Sequence, residues 1–311
     1  MISITDAAKV LCAGGVVAIP TETVYGLAAN ALDEKAVAQI FALKKRPSDN
    51  PLIVHVWSKS DISQYATIVS PLETLLIEKL IPGPLTILLH KKNIPDLVTA
   101  GSEWVAIRMP DHPIAQDLLS RLDFPLAAPS ANISGRPSPT SPDMVVANFG
   151  PMVSVLDGGE CLVGIESTVV QVVDGSICIH RPGFITLEDI QSLVWPDVRV
   201  EYTYGETNIS PGVKYPHYAP RARVHRLDLD NLPKSGWAVL LVTDQWIDAN
   251  PQASCPIYRR WNCDVLLACA QNLYRFYHQA DLDGYTDIYV EKLPETGVWY
   301  ALMNRVRKSI Q

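Results

Sequence analysis

The sequence predicts an α/β protein: a mixed sheet with flanking helices, followed by a smaller parallel α/β domain. Three observations carry this. Short apolar runs of strand type alternate with amphipathic helical segments through the larger, N-terminal part of the chain. Several of those runs follow one another with no helix between them, which mixes strand directions and excludes a purely parallel sheet. The stretch GETNISPGVKYPHYAP at 205–220 has neither periodicity, holds three prolines and two glycines, and reads as a linker. The chain divides accordingly into 1–204, a Pro/Tyr-rich linker over 205–222, and 223–311.

Each element has a local reason. Thr5 can cap a first helix through DAAKVLCA, which Gly14 and Gly15 stop, and Val16 to Ile19 is then a buried strand ended by Pro20. Asp33 caps a second helix with Val37, Ile40 and Phe41 on one face, closing on Lys44, Lys45 and Arg46 before Pro47. Leu52 to Val56 reads as a strand, Pro71 to Leu80 as a helix, Leu85 to Leu89 and Trp104 to Arg108 as strands, and His112 to Leu122 as a helix. Further strands fall near Pro125 to Ala128, Val153 to Leu156, Thr168 to Val173 and Ile177 to His180, with helices near Pro142 to Asn148 and Leu187 to Val194. Beyond the linker come a strand at Trp237 to Val242, a long helix at Asp264 to Tyr277, a strand at Asp287 to Val290 and a helix at Val298 to Arg307. That β, α, β, α order is what a small parallel domain needs.

Composition narrows the function. With 311 residues and 48% of them hydrophobic, the chain can bury enough apolar surface to overcome its ordering entropy. A net charge of −7 argues against a surface that is basic throughout, as general nucleic-acid or anionic-membrane binding requires. The charge is uneven: residues 1–204 hold 14 basic and 22 acidic side chains, a balance of −8, and residues 221–311 hold 11 and 10, a balance of +1. Six cysteines form no Cys-x-x-Cys pair, and Cys12, Cys178 and Cys269 lie in apolar periodic segments, where they read as buried hydrophobes of a reduced, cytoplasmic protein. No secretory leader opens the sequence, and no apolar run is long enough to cross a membrane.

The familiar nucleotide and hydrolase signatures are absent: no Gly-x-x-x-x-Gly-Lys-Ser/Thr, no Gly-x-Gly-x-x-Gly after a strand, no Gly-x-Ser-x-Gly. What remains is a set of polar residues at strand ends. PTETVYGL at 20–27 carries two threonines, a glutamate and a tyrosine, and reads equally as a capped turn. Lys44, Arg46 and Asn50 share one loop; cations at a helix C-terminus satisfy the dipole, but in an acidic lobe they also make a local positive focus. His55 sits in an apolar strand. Arg108 ends the strand WVAIR, a place suited to gripping a carboxylate or to an ordinary salt bridge. In APSANISGRPSPTSP, Ser130, Asn132, Ser134, Arg136 and Ser138 alternate with prolines that hold the loop extended and its donors presented. Ser167, and Arg181 before Pro182, are further donors at strand edges.

Taken in order, PTETVYGLAANA, KKRPSDNPLIVHV, VAIRMPDHP, APSANISGRPSPT, GIESTVV and RPG resemble the YrdC-type threonylcarbamoyl-AMP synthases, and SPGVKYPHYAP resembles the linker of that family's long, two-domain form. The last part of the chain matches through a small Rossmann-like domain and the terminal ALMNRVRKS. The resemblance implies a YrdC-like twisted mixed sheet and synthesis of threonylcarbamoyl-AMP and pyrophosphate from L-threonine, bicarbonate or CO2, and ATP. It implies that the product goes to a threonylcarbamoyl transferase acting on tRNA. It also implies phosphate contacts at Lys44, Arg46, Ser130 and Asn132, nucleotide contacts at Asn50, Ser138 and Arg181, and Tyr218 folding over the nucleotide as part of a lid. On the threonine side it implies Thr23, His55, Arg108 and Ser167. The string leaves open whether Lys44 or Lys45 turns inward.

The implied chemistry needs no covalent enzyme nucleophile, only positioning and cations facing the phosphoryl oxygens, which Lys44 and Arg46 can supply. Mg2+ would bridge the phosphates with few protein ligands. Two other readings stand beside it. A non-catalytic RNA-binding protein would need the cations of an acidic lobe gathered on one concave face. A carbamoyltransferase of the hydrogenase-maturation type would add zinc-binding Cys-x-x-Cys repeats, and the sequence has none.

Overall fold

The computed structural model describes residues 1–203, 217–228, 238–250, 258–260 and 266–310, with 258–260 and 266–269 described as backbone only. Most of the expected linker therefore lies outside the described residues; its end, from His217, lies within them.

The first domain is one mixed sheet of eleven strands. In chain order these are β1 (Val17–Ile19), β2 (Gly26–Asn30), β3 (Ile53–His55), β4 (Ala66–Thr67), β5 (Leu85–Lys91), β6 (Trp104–Arg108), β7 (Leu126–Ala127), β8 (Ser154–Val155), β9 (Thr168–Val173), β10 (Ser176–Arg181) and β11 (Val200–Tyr202). Their spatial order is β11-β10-β9-β5-β6-β3-β7-β2-β1-β8, with β4 paired to β5. The helices are α1 (Ile4–Cys12), α2 (Glu34–Lys44), α3 (Ile62–Tyr65), α4 (Pro71–Leu80), α5 (Asp96–Thr99), α6 (Pro113–Ser120), α7 (Pro142–Phe149) and α8 (Leu187–Leu193).

The period-two alternation of the strands sends side chains to two cores. Val17, Ile19 and Ala28 join Leu11, Leu118 and Leu119 of α1 and α6, whereas Ala18, Leu27 and Ala29 join Ile40, Leu76 and Ile77 of α2 and α4. The sheet is thus covered on both sides, and its buried central strands leave the polar residues at strand ends and in loops.

Most expected elements form where the pattern puts them. Asp33 caps α2 through Lys35 and Ala36, and Ser70 with Glu73 closes a capping box on α4. Three readings need correction. The first helix is capped by Ser3, whose hydroxyl accepts from the Asp6 amide, two residues before Thr5. The strand β2 has no signature in the sequence, because GLAAN has no β-branched residue; pairing with β1 and β7 on either side imposes it. Cys12 is exposed and Cys178 only half-buried. The buried positions of α1 are Ala7 and Leu11, one turn apart, and those around Cys178 are Ile177 and Ile179, so each cysteine faces away from the core. Cys269 lies outside the described side chains.

The second domain holds β12 (Arg223–Arg226), β13 (Ala238–Val242), α9 (Asp244–Ala249), β14 (Tyr258–Arg260), α10 (Leu266–Leu282), β15 (Asp287–Val290) and α11 (Gly297–Ser309). Its sheet runs β12-β15-β13-β14 and every pairing is parallel, as the sequence order requires. Its core is continuous with the first domain: Val24, Met144, Val163 and Ile165 pack into the same cluster as Leu273, Tyr274 and Val306. Among the described residues no helix is long and apolar enough to cross a membrane.

Candidate functional site

A cleft of about 690 Å3, its open mouth included, lies at the ends of β3 and β6. These strands pair in parallel with His55 opposite Arg108, so both residues reach the wall at one level. The loops after β1 and β7, the end of α2, the loops flanking β9 and β10, and the end of the linker complete it.

Lys44 is the last residue of α2, and the chain turns left-handed at Lys45 (φ 52°). That turn separates the two lysines: Lys45 is exposed, whereas Lys44 is 1% exposed and runs inward. Its ammonium donates to the carbonyl oxygens of Ser130 (2.5 Å) and Asn132 (2.6 Å), fixing the loop after β7 to the helix end. Within that loop Ser130 Oγ donates to Asn132 Oδ1 (2.5 Å), and Asn132 Nδ2 donates to the carbonyls of Ile133 and Arg136 (2.8 and 2.9 Å). Asn132 therefore shapes the loop with the amide that the sequence offers to a phosphate. Arg46 donates through Nε to the Asn50 carbonyl (3.1 Å) and through Nη2 to that of Pro51 (2.8 Å).

Arg108 is 4% exposed and its Nη2 stands 2.7 Å from Oε1 of Glu22, itself 4% exposed. The contact is an ion pair without hydrogen-bond alignment, so Arg108 Nε and Nη2 and both Glu22 oxygens are buried donors and acceptors with unmet capacity. Ser134 Oγ and His217 Nε2, also on the wall, are in the same condition. Burial, and then the neighbouring Arg108, push the His55 imidazole down to about 3, so it is neutral at any working pH.

Ser167 directly precedes β9. Its hydroxyl meets Thr86 Oγ1 at 2.7 Å and accepts from Arg181 Nη2 at 2.9 Å, while Arg181 Nε donates to the Ser167 carbonyl at 3.0 Å. A bulge in the β9–β10 pairing at Ile179/Arg181 turns Arg181 to make this contact. Gly183 is required beside it, because a Cβ there would stand 2.3 Å from the Thr168 amide nitrogen.

Among the described residues Glu166 is the single carboxylate on the wall, against four cations, Lys44, Arg46, Arg108 and Arg181. Burial works to raise its pKa, but Arg305, Arg181 and the Ser138 hydroxyl outweigh that and hold it down to about 2. A carboxyl depressed in this way stabilises the fold fully above its unfolded value of 4.5 and loses that contribution as pH falls through about 2. In acid titrations followed by circular dichroism, the stability advantage of wild type over Glu166→Gln is therefore expected to shrink across that window. An advantage independent of pH would contradict the pairing.

Nine of the twelve expected site residues line the cleft: Lys44, Arg46, His55, Arg108, Ser130, Asn132, Ser167, Arg181 and Tyr218. Three stand behind it. Thr23 is wholly buried against the Thr21 hydroxyl (2.8 Å), and Thr21 takes the place on the wall. Asn50 is buried behind Arg46, and Ser138 gives its hydroxyl to Glu166 (2.6 Å). Thr21, Glu166 and His217 also line the wall, each from within one of the motifs at 20–27, 164–170 and 210–220, where nothing local sets it apart from its polar neighbours.

The lysine and guanidinium groups make the cleft positive inside an acidic lobe. Burial, then the nearby Arg46, lower the Lys44 pKa well below that of a free lysine, and burial lowers that of Arg181. Buried cations held mainly by neutral carbonyl and hydroxyl groups are stabilised further when an anion joins them. Among the described residues no group of three His, Cys, Asp or Glu side chains is arranged to hold a metal, and Glu166 already accepts from Ser138, Tyr274 and Arg305.

The family profile Sua5/YciO/YrdC, described as "Telomere recombination", matches residues 9–183. A second profile, "Threonylcarbamoyl-AMP synthase, C-terminal domain", matches residues 185–310. The threonylcarbamoyl-AMP synthase of Bacillus subtilis is 40% identical over 331 residues, covering 98% of this chain and 92% of the relative. That of Pyrococcus abyssi is 38% identical over 315 residues, covering 95% and 90%. Among solved structures, the crystal structure of P. abyssi Sua5 complexed with L-threonine superposes with a TM-score of 0.84 at 35% identity, over 98% of this chain and 93% of that one. Full-length HypF in a phosphate- and nucleotide-bound form superposes in part, with a TM-score of 0.52 at 28% identity over 60% of this chain and 31% of its own. Matched through both halves and along nearly its whole length, the chain belongs to the Sua5/YrdC family of threonylcarbamoyl-AMP synthases, in its two-domain form.

Proposed function

We propose that the cleft makes threonylcarbamoyl-AMP from L-threonine, bicarbonate or CO2, and ATP, for transfer to tRNA by a partner transferase in the cytoplasm. The observation that carries this reading is the convergence of four buried or half-buried cations on one cleft of an otherwise acidic lobe. A triphosphate and a carboxylate are the anions it suits. The same burial disfavours the RNA-binding alternative, since Lys44, Arg108 and Arg181 are at most 5% exposed and cannot meet a polynucleotide backbone.

In the proposed reaction the neutral amine of threonine adds to CO2 and loses a proton to give a carbamate. A carbamate oxygen then attacks the α-phosphorus of ATP as the bond to the bridging oxygen breaks and pyrophosphate leaves. Arg108 binds the threonine carboxylate, with neutral His55 and Ser167 beside it. Lys44 and Arg46 face the phosphoryl oxygens, assisted by the Ser134 hydroxyl and by that of Ser130 once it turns from Asn132, and Arg181 lies between the two substrates. Tyr218 covers the nucleotide and keeps water from the mixed anhydride. Charge neutralisation on the triphosphate would come from Mg2+ bound to it, because Glu166, the one carboxylate among the described wall residues, is already engaged by Ser138, Tyr274 and Arg305.

The test is pyrophosphate release from ATP and Mg2+ with bicarbonate, with and without L-threonine. Release is expected only with threonine; equal release in both would overturn the proposal.

A further inference from the structure

The cleft is finished by residues of the second domain that never touch it. Arg305 lies in the apolar stripe of α11, among Val298, Ala301, Leu302 and Val306, and is wholly buried. Its guanidinium makes a fixed set of contacts: Nε donates to Glu166 Oε2 (3.0 Å), Nη2 to the Glu166 carbonyl (3.4 Å), and Nη1 to the carbonyls of Pro182 and Ala301. From α10, the Tyr274 hydroxyl donates to the same carboxylate (3.0 Å). The two segments gripped in this way, at Glu166 and Pro182, adjoin Ser167 and Arg181, the residue before β9 and the last residue of β10.

Two further contacts run the same way. Gly164 lies so close to α10 that a Cβ would stand 2.3 Å from Gln271 Cα. Tyr218 stacks on Tyr274 with ring centroids 5.5 Å apart, and the Arg305 guanidinium lies 5.7 Å from its ring centre. Apolar residues would join two domains at least as well as a buried guanidinium, which is costly to desolvate. What the guanidinium adds is direction, several donors held in one plane.

We propose that the second domain is a positioning device for the cleft: Arg305 and Tyr274 hold Glu166 and Tyr218, and through them fix Ser167, Arg181 and the covering tyrosine. Arg305 and Tyr274 are positioning residues. The proposal deepens the synthase reading and rests on it for the identity of the ligands.

The test uses the full chain with Arg305→Met, Arg305→Lys and Tyr274→Phe. Tyr274→Phe keeps the ring under Tyr218 and removes only the hydroxyl on Glu166, so it guards against the arginine variants failing to fold. Equilibrium binding of L-threonine and of a non-hydrolysable ATP analogue is measured by calorimetry beside the melting temperature. Tyr274→Phe is expected to melt within a few degrees of wild type, yet to bind both ligands about tenfold more weakly, because small displacements of aligned groups are expensive. Arg305→Lys is expected not to rescue Arg305→Met. Wild-type affinities in Tyr274→Phe, or full rescue by lysine, would overturn the proposal, since the contacts would then be a strut or a bare charge. Wild type that binds both ligands but releases no threonine-dependent pyrophosphate would overturn the synthase reading alone.

Discussion

Arg108→Ala is expected to weaken L-threonine binding by about 2 kcal/mol or more, roughly thirtyfold, while ATP-analogue binding stays close to wild type. Arg108 ends β6 beside His55, is 4% exposed, and has buried donor capacity on Nε and Nη2 that Glu22 does not meet. A carboxylate on those nitrogens gains charge-assisted hydrogen bonds at a buried position in the cleft wall. The substitution also strips Glu22 of its partner, and breaking a buried pair costs about 3–5 kcal/mol of stability. Glu22→Gln/Arg108→Ala removes that second effect: the double variant is expected to recover much of the stability and none of the threonine affinity. Calorimetry with thermal melts separates the two, and an unchanged threonine affinity in the double variant would remove Arg108 from the substrate's reach.

The sequence made the main features of this cleft readable because they are local. A helix that ends in cations, a loop with polar residues between prolines, and arginines at strand ends keep their meaning in one dimension, and Lys44, Arg46, Ser130, Asn132, Arg108 and Arg181 all line the wall. The expected residues that stand behind the wall share one cause, which is that facing depends on tertiary geometry. Thr21 and Thr23 are interchangeable in PTETV, yet Thr21 reaches the cleft while Thr23 packs behind it. Ser138 reads like the other serines of its loop until the fold brings Glu166 within 2.6 Å. Arg305 was invisible as a participant, since nothing local marks an arginine in an apolar helical stripe as the partner of a carboxylate 139 positions away.

Lys44→Met is expected to reduce threonine-dependent pyrophosphate release by about a hundredfold or more, because a preorganised cation facing the phosphoryl oxygens contributes mainly to the transition state. Methionine keeps the length and burial of the side chain, so the helix end still fills its space. It also leaves the Ser130 and Asn132 carbonyls without their donor, at about 1–3 kcal/mol each, and the melting temperature should fall in step. The pH dependence tells the catalytic effect from the structural one. Burial and Arg46 depress the pKa of Lys44 below 10.5, so the unfolded chain holds this proton more firmly and the lysine's contribution to stability improves as pH rises towards that value. Phosphate binding runs the opposite way, since it needs the ammonium and weakens as the proton is lost. Wild type should therefore bind the ATP analogue less tightly as pH rises while its free form becomes more stable, and Lys44→Met should lose both slopes. A Lys44→Met protein that keeps wild-type turnover would assign the phosphates to Arg46 and the loop donors and reduce Lys44 to a clamp on the loop after β7.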